Sequence, residues 1–201
     1  DPVASAAALN LPMNGLILGM LPGSREPEVK RLLPLFLSAF DRLVAEDKDL
    51  AGVIPAASGY LYELIKSMVG SRPIRVVHGK SREVIAASKT VLAASGTAAL
   101  ESVLTGRPTV AAYKMNPWTY RLVKNKVQTE FITLPNLLAD RALIPELIQE
   151  KASVDSIVNV ILPMLEESPA NQFLTEAQKI YDSLAGDVSG RAAEAILEHL
   201  S

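Results

Sequence analysis

"GLILGMLPGSRE", residues 15–26, runs from an unbroken apolar segment into a Pro-Gly-Ser corner, and a long helix-like stretch follows. A short apolar segment without polar alternation suits a strand buried on both faces. Proline and glycine mark the corner where it stops. Residues 27–46 then carry apolar side chains at helical spacing. Strand, corner and helix in that order are the repeating unit of a parallel α/β sheet.

The same unit recurs outward from this stretch. Apolar runs at 16–20, 52–55, 74–78, 90–94 and 109–113 read as strands, with a weaker one at 130–133. Helical patterns at 27–46, 60–69, 82–88, 97–104 and 117–127 fall between them. Right-handed crossovers then give class α/β, a doubly wound, mostly parallel Rossmann-like sheet. From about residue 139 the alternation stops, and Val154, Ile157, Val158, Ile161 and Leu165 form an apolar stripe at helical spacing. Pro163 is expected to interrupt and kink that helix, Gly186 to end the next, and Ser189 to cap the last. The expected organisation is a single domain over 1–201: a linker remnant at 1–14, a Rossmann-like core at 15–138 and a helical C-terminal part at 139–201.

Composition narrows the function classes. Apolar residues make up 49% and charged residues 21%, as in an ordinary folded protein. A net charge of −2, from 20 basic and 22 acidic side chains, argues against a nucleic-acid partner. The absence of cysteine excludes disulfides, cysteine nucleophiles and thiolate metal sites. No apolar run approaches the ~20 residues of a membrane-spanning helix. The opening Asp1-Pro2-Val3-Ala4-Ser5 lacks the positive start of a secretory signal. A soluble cytoplasmic domain is the expectation.

Ligands of an open α/β sheet bind beyond the carboxyl ends of its strands. Two loops there carry suitable chemistry. In the first, Leu21-Pro22-Gly23-Ser24-Arg25, Gly23 lets backbone approach a ligand, the following helix begins with free N–H groups, and Arg25 offers a fork matched to phosphate; a plain turn with a surface arginine reads the same residues. In the second, Ser95, Gly96 and Thr97 stand between a strand and an Ala-rich helix, with Glu101 one turn further along. Two hydroxyls, a glycine and free N–H groups suit a diphosphate, and a carboxylate beside them suits paired sugar hydroxyls. The competing reading is a helix cap, which needs only one hydroxyl. Neither a Walker loop nor a Gly-x-Gly-x-x-Gly fingerprint is present, so hydride transfer is disfavoured.

Three blocks, "LPGSRE", "ASGTAALESVLTGRPTVAAYKMNPWTYRLVK" and "LPNLLADRALIPELIQE", together resemble lipid-A-disaccharide synthase, a family of inverting glycosyltransferases with the GT-B fold. The resemblance runs from about residue 16 to 149 and covers the C-terminal, donor-binding half of that fold. It implies transfer of 2,3-diacylglucosamine from a UDP-2,3-diacylglucosamine donor to 2,3-diacylglucosamine 1-phosphate, giving the lipid A disaccharide and UDP. The acceptor and the candidate catalytic base belong to the family's N-terminal half, so this chain alone is expected to be inactive. The resemblance puts Gly23, Ser24 and Arg25 beside the donor diphosphate, with Arg25 offsetting charge on the leaving UDP. It gives Ser95, Gly96 and Thr97 the diphosphate and Glu101 the ribose. Asn136 resembles an active-site asparagine, and Glu146 and Gln149, one helical turn apart, would add polar donor contacts or be exposed helix polarity. It implies no cofactor and no metal.

The remaining features divide between bland and functional readings. Asp47-Lys48-Asp49 spells a metal-binding Asp-x-Asp but sits at the wrong end of the sheet, and reads as a solvated turn. His78 ends a strand near the expected cleft and could touch the nucleotide, though a lone histidine is more often structural; His199, near the C-terminus, reads as structural. Residues 114–126, "KMNPWTYRLVKNK", combine basic and apolar side chains, and Trp118, Arg121 and Lys124 fit contact with the inner-membrane surface as well as a helix packed on the sheet. A homodimer is compatible with the pattern. The alternatives to a transferase half are another UDP-sugar-binding module, epimerase-like or peptidoglycan glycosyltransferase-like, and a non-catalytic interaction domain.

Overall fold

The five strands expected between residues 16 and 113 all form, and their apolar runs feed two cores rather than one. The computed structural model describes residues 1–12, 15–47, 49–115 and 130–185. In chain order the elements are α1 (Pro2–Ala8), β1 (Ile17–Leu21), α2 (Glu26–Glu46), β2 (Ala51–Ala56), α3 (Gly59–Val69), β3 (Ile74–His78), α4 (Ser81–Ala87), β4 (Thr90–Ala94), α5 (Thr97–Leu104) and β5 (Thr109–Tyr113). After them come α6 (Leu134–Ala139), β6 (Glu146–Ile148), a 3-10 turn (Gln149–Lys151), α7 (Val154–Glu166) and α8 (Asn171–Leu184). The six strands form one parallel sheet in the order β3-β2-β1-β4-β5-β6.

Strand pleating explains why the strands are apolar throughout. Leu18 and Met20 of β1, Leu92 and Ala94 of β4, and Val110 and Ala112 of β5 face a core closed by α2, α3 and α7. Their neighbours Ile17, Leu21, Val91, Ala93 and Ala111 face a second core closed by α1, α4, α5 and α8. Successive side chains point to opposite sides, so a strand covered on both faces takes a polar residue only where its hydrogen bond is made, as at Thr90 and Thr109, which open β4 and β5 and donate to the Met164 and Arg107 carbonyls. Phe36 and Phe40 of α2, both fully buried, anchor the first core. Gly52 is required there: a Cβ would lie 2.8 Å from Ile74 and 3.0 Å from Met20 and Phe40.

Several expectations change. Residues 130–133 are not a strand; the sixth strand is Glu146–Ile148, inside the part expected to be wholly helical. Three residues are too few for periodicity to separate strand from helix, and pairing of β6 with β5 decides the matter. Part of the expected linker remnant forms α1, capped by the Asp1 carboxylate accepting from Val3 N–H at 2.9 Å, and packs against α4. Helix α7 continues through Pro163 to Glu166. The helix expected at 117–127, the membrane candidates Trp118, Arg121 and Lys124, and also Lys48, Gly186, Ser189 and His199 lie outside the described residues. Among the described residues, no helix is long and apolar enough to cross a membrane.

Caps position the loops that matter below. Ser58 accepts from Leu61 N–H at 3.2 Å and starts α3 directly after the β2 loop. Ser58→Ala is expected to lower stability by ~1 kcal/mol, which for a domain of this size moves the melting temperature by ~2–4 °C. An unchanged thermal melt would show that water replaces the cap at no cost.

Candidate functional site

The strand order places β1 and β4 side by side although they are distant in sequence, with successive strands leaving in opposite directions on either side of them. A doubly wound sheet opens a crevice at this switch point, beyond the carboxyl ends of the two strands. The crevice here is a cleft of about 370 Å³. One wall is the corner after β1, with Gly23, Ser24 and Arg25; the opposite wall is the corner after β4, with Ser95, Gly96 and Thr97. Glu101 lines the same cleft one turn into α5. Two loops about seventy residues apart in the chain are therefore brought face to face, as their shared sheet edge requires.

The β4 corner is open to a ligand. Gly96 stands at the N-cap with φ +155°, and a Cβ there would meet nothing within 4 Å. No side chain caps α5, so among the described residues the Ser95 and Thr97 hydroxyls are not consumed by the capping role weighed above. The N–H groups of the first turn of α5 point outward without intrahelical acceptors, and the helix dipole adds partial positive charge. Thr97 and Glu101 are four residues apart on one helix face, as their spacing predicts.

The β1 corner is built differently. Gly23 has φ +121°, a left-handed value that favours glycine. The side chain of Arg25 is 79% exposed at the mouth of the cleft. Its companion is Glu28, a residue that sequence reasoning missed: Oε1 lies 3.4 Å from Arg25 Nη1, and Glu28 also lines the cleft. A glutamate three residues after the cap of a proline-started helix was the available signal, because such a residue reaches back to the cap N–H groups. The floor is formed by Pro55 and Ala56 at the end of β2, Ala57 beyond them, and Gly79 and Ser81 after β3. These small residues carry no chemical signature in a sequence. Nearby, Glu26 pairs with Lys30 at 2.6 Å. The lysine, with help from the Tyr60 hydroxyl, holds that carboxyl below its usual range.

Asn136, Glu146 and Gln149 do not line the cleft. They are not on one helix face either, since Glu146 opens β6 and Gln149 starts the following 3-10 turn. Asn136 is 1% exposed, and its amide is fully engaged within the chain. Its oxygen accepts from Leu143 N–H at 2.9 Å and Ile144 N–H at 2.8 Å. Its nitrogen donates to the Ile144 carbonyl and to Glu146 Oε1, both at 2.9 Å. Glu146 also accepts from the N–H groups of Ile132 and Thr133 and from the Thr133 hydroxyl, the last at 2.7 Å. Asn136, Glu146 and Thr133 thus form a clasp; apart from it, Gln149, with φ +53°, accepts from Met115 N–H at 3.0 Å and ties the exit of β6 to that of β5. The two donors and two acceptor sites of an amide are all spent here.

The other candidates sit apart. His78 is exposed at the end of the edge strand β3 and is not a cleft residue. Asp47 accepts from Asp49 N–H at 2.9 Å, the geometry of a side-chain turn at the amino end of β2.

The family model for lipid-A-disaccharide synthetase matches residues 2–199. The chain belongs to that family. It is 41% identical over 201 residues to the lipid-A-disaccharide synthase of Pseudomonas aeruginosa strain LESB58, covering 98% of this chain and 53% of that protein. It is 42% identical over 203 residues to the one of Azotobacter vinelandii strain DJ, with the same coverage of 98% and 53%. The chain therefore spans about half the length of the curated relatives it matches. The fold also resembles WaaG, a glycosyltransferase involved in lipopolysaccharide biosynthesis, with a TM-score of 0.58, 14% identity, and coverage of 93% of this chain and 47% of WaaG. Escherichia coli ADP-heptose heptosyltransferase II gives 0.55 at 13% identity, covering 81% and 50%. These neighbours are GT-B glycosyltransferases, and the Rossmann-like sheet of this family member is of their type.

Proposed function

We propose that this chain is the donor-binding half of a lipid-A-disaccharide synthase, and that the cleft between the β1 and β4 corners holds the UDP of the donor. One observation carries the reading. The two loops singled out for phosphate chemistry, with Glu101 beside them, line a single cleft at the switch point of the sheet. Membership of the family favours a transferase over an epimerase-like or non-catalytic module.

In this reading the diphosphate lies on the first turn of α5, with Ser95 and Thr97 hydroxyls and the N–H groups after Gly96 as donors. Arg25 reaches the same phosphates from the opposite wall, and Glu101 accepts from the ribose hydroxyls. The transferred sugar is 2,3-diacylglucosamine, and the acceptor hydroxyl of 2,3-diacylglucosamine 1-phosphate displaces UDP with inversion at the anomeric carbon. The acceptor's proton leaves to a base in the part of the enzyme outside the matched half. Negative charge grows on the departing diphosphate, where Arg25 and the helix start stabilise it; fixed donors aimed at developing charge supply the largest catalytic term in such sites. The acylated substrates place the whole enzyme at the cytoplasmic face of the inner membrane, as a peripheral protein.

Calorimetric titration of the chain with UDP tests the cleft. Glu101→Ala is expected to weaken UDP by ~10-fold while leaving uracil-containing ligands without a ribose unaffected, since ~1.4 kcal/mol is the scale of a charge-assisted hydrogen-bond pair partly exposed to water. A folded chain that does not bind UDP would remove the proposal.

A further inference from the structure

The corner after β1 already holds an anion, and the anion belongs to the chain. Glu28 turns back from the first turn of α2, and its Oε2 accepts from Ser24 N–H at 3.2 Å and Arg25 N–H at 3.3 Å. Its Oε1 accepts from Arg25 Nη1 at 3.4 Å. A Cβ on Gly23 would lie 2.6 Å from Glu28 Oε2 and 2.7 Å from Glu28 Cβ, so the glycine makes room for this side chain. Across the cleft, the corresponding space over Gly96 is empty to 4 Å. One wall is filled from within and the other is open.

We propose that Glu28 is an internal competitor for the donor diphosphate and sets the affinity of the cleft for it. The inference rests on the UDP reading above. An N–H group serves one strong acceptor at a time, so carboxylate and phosphate oxygens cannot both hold the donors of Ser24 and Arg25. A diphosphate on the Ser95–Thr97 wall also faces the carboxylate charge across the cleft. The Glu28 hydrogen bonds, at 3.2, 3.3 and 3.4 Å, lie at or beyond the long end of the normal range, and its side chain is 38% exposed. It can therefore swing into water without burying a charge. Once the sugar is transferred, the returning carboxylate retakes the same donors and Arg25, which speeds departure of UDP.

The ordinary role of a glutamate at this helix position is to cap N–H groups, and charge alone separates the two roles. Glutamine keeps an acceptor oxygen of the same reach and removes the charge. In titrations of the folded chain, with melting temperatures matched, Glu28→Gln is expected to bind UDP about fivefold tighter than the parent. That factor is the scale of one like-charge contact at ~4 Å in a wet cleft. Uridine, which has no phosphates, is expected to bind both proteins alike. Equal or weaker UDP binding by Glu28→Gln, with binding by the parent intact, overturns the inference alone. A gain seen equally with uridine also overturns it, because the effect would then not run through phosphate. Absence of UDP binding by both folded proteins removes the reading of the cleft and the inference together.

Discussion

On the proposed function, Arg25→Ala in a complete lipid-A-disaccharide synthase containing this half is expected to lower turnover by about 10²–10³-fold, the loss found when one donor to developing negative charge is removed. The melting temperature is expected to stay within ~1 °C, because the side chain is 79% exposed and its pairing with Glu28 is a long surface contact. The separation between activity and stability is the informative part. Arg25 buries little and packs against nothing that a core needs. Its position follows from the corner itself: β1 ends at Leu21, Gly23 turns the chain, and α2 begins at Glu26, which leaves Arg25 at the mouth of the cleft. Arg25→Lys keeps the charge but not the fork, and is expected to recover part of the loss. Turnover within threefold of the parent in Arg25→Ala would place the leaving-group charge elsewhere.

Asn136→Ala is expected to act in the opposite way, costing about 2–4 kcal/mol of stability. For a domain of this size that is a fall of ~4–16 °C in melting temperature. The substitution strands Leu143 N–H, Ile144 N–H and the Ile144 carbonyl, and removes one of the partners of Glu146, in a place that is 1% exposed. Buried donors and acceptors without partners lose their hydration with nothing in return. Asn136→Asp is expected to be no better, since a carboxylate would face Glu146 and could not donate to the carbonyl. A residue that only touched substrate would give the reverse result, with weaker ligand binding and an unchanged melt. Thermal denaturation of the two variants beside UDP titration separates the roles. The expected outcome is a large fall in stability, with UDP affinity near that of the parent below the transition.

The sequence carried more of the cleft than of the clasp, and the reason is chemical. Ser95, Gly96, Thr97 and Glu101 announce themselves because a helix cap needs only one hydroxyl, and this corner offers two with a glycine and a carboxylate one turn on. At Gly23 the glycine signals a close approach, and the chain's own Glu28 makes one there. Glu146 and Gln149 read as one helix face, because three residues do not reveal a period; the hydrogen bonds of β6 to β5 are non-local and invisible to spacing. Asn136 looks like a polar residue with work to do, and it has work, but toward Leu143, Ile144 and Glu146.

Alternation of apolar runs with amphipathic ones, unaided, determined the parallel α/β class, the five strands from β1 to β5, and the end of the sheet where a ligand belongs. Those features follow from local spacing and from the pleat that sends neighbouring side chains to opposite faces. Tertiary structure decided which corners meet across the cleft, that Glu28 already occupies one of them, and that Asn136 and Glu146 are bonded to each other. Each is a matter of which donor finds which acceptor after the chain closes on itself, and that pairing is set by the order of strands in space rather than by their order in sequence.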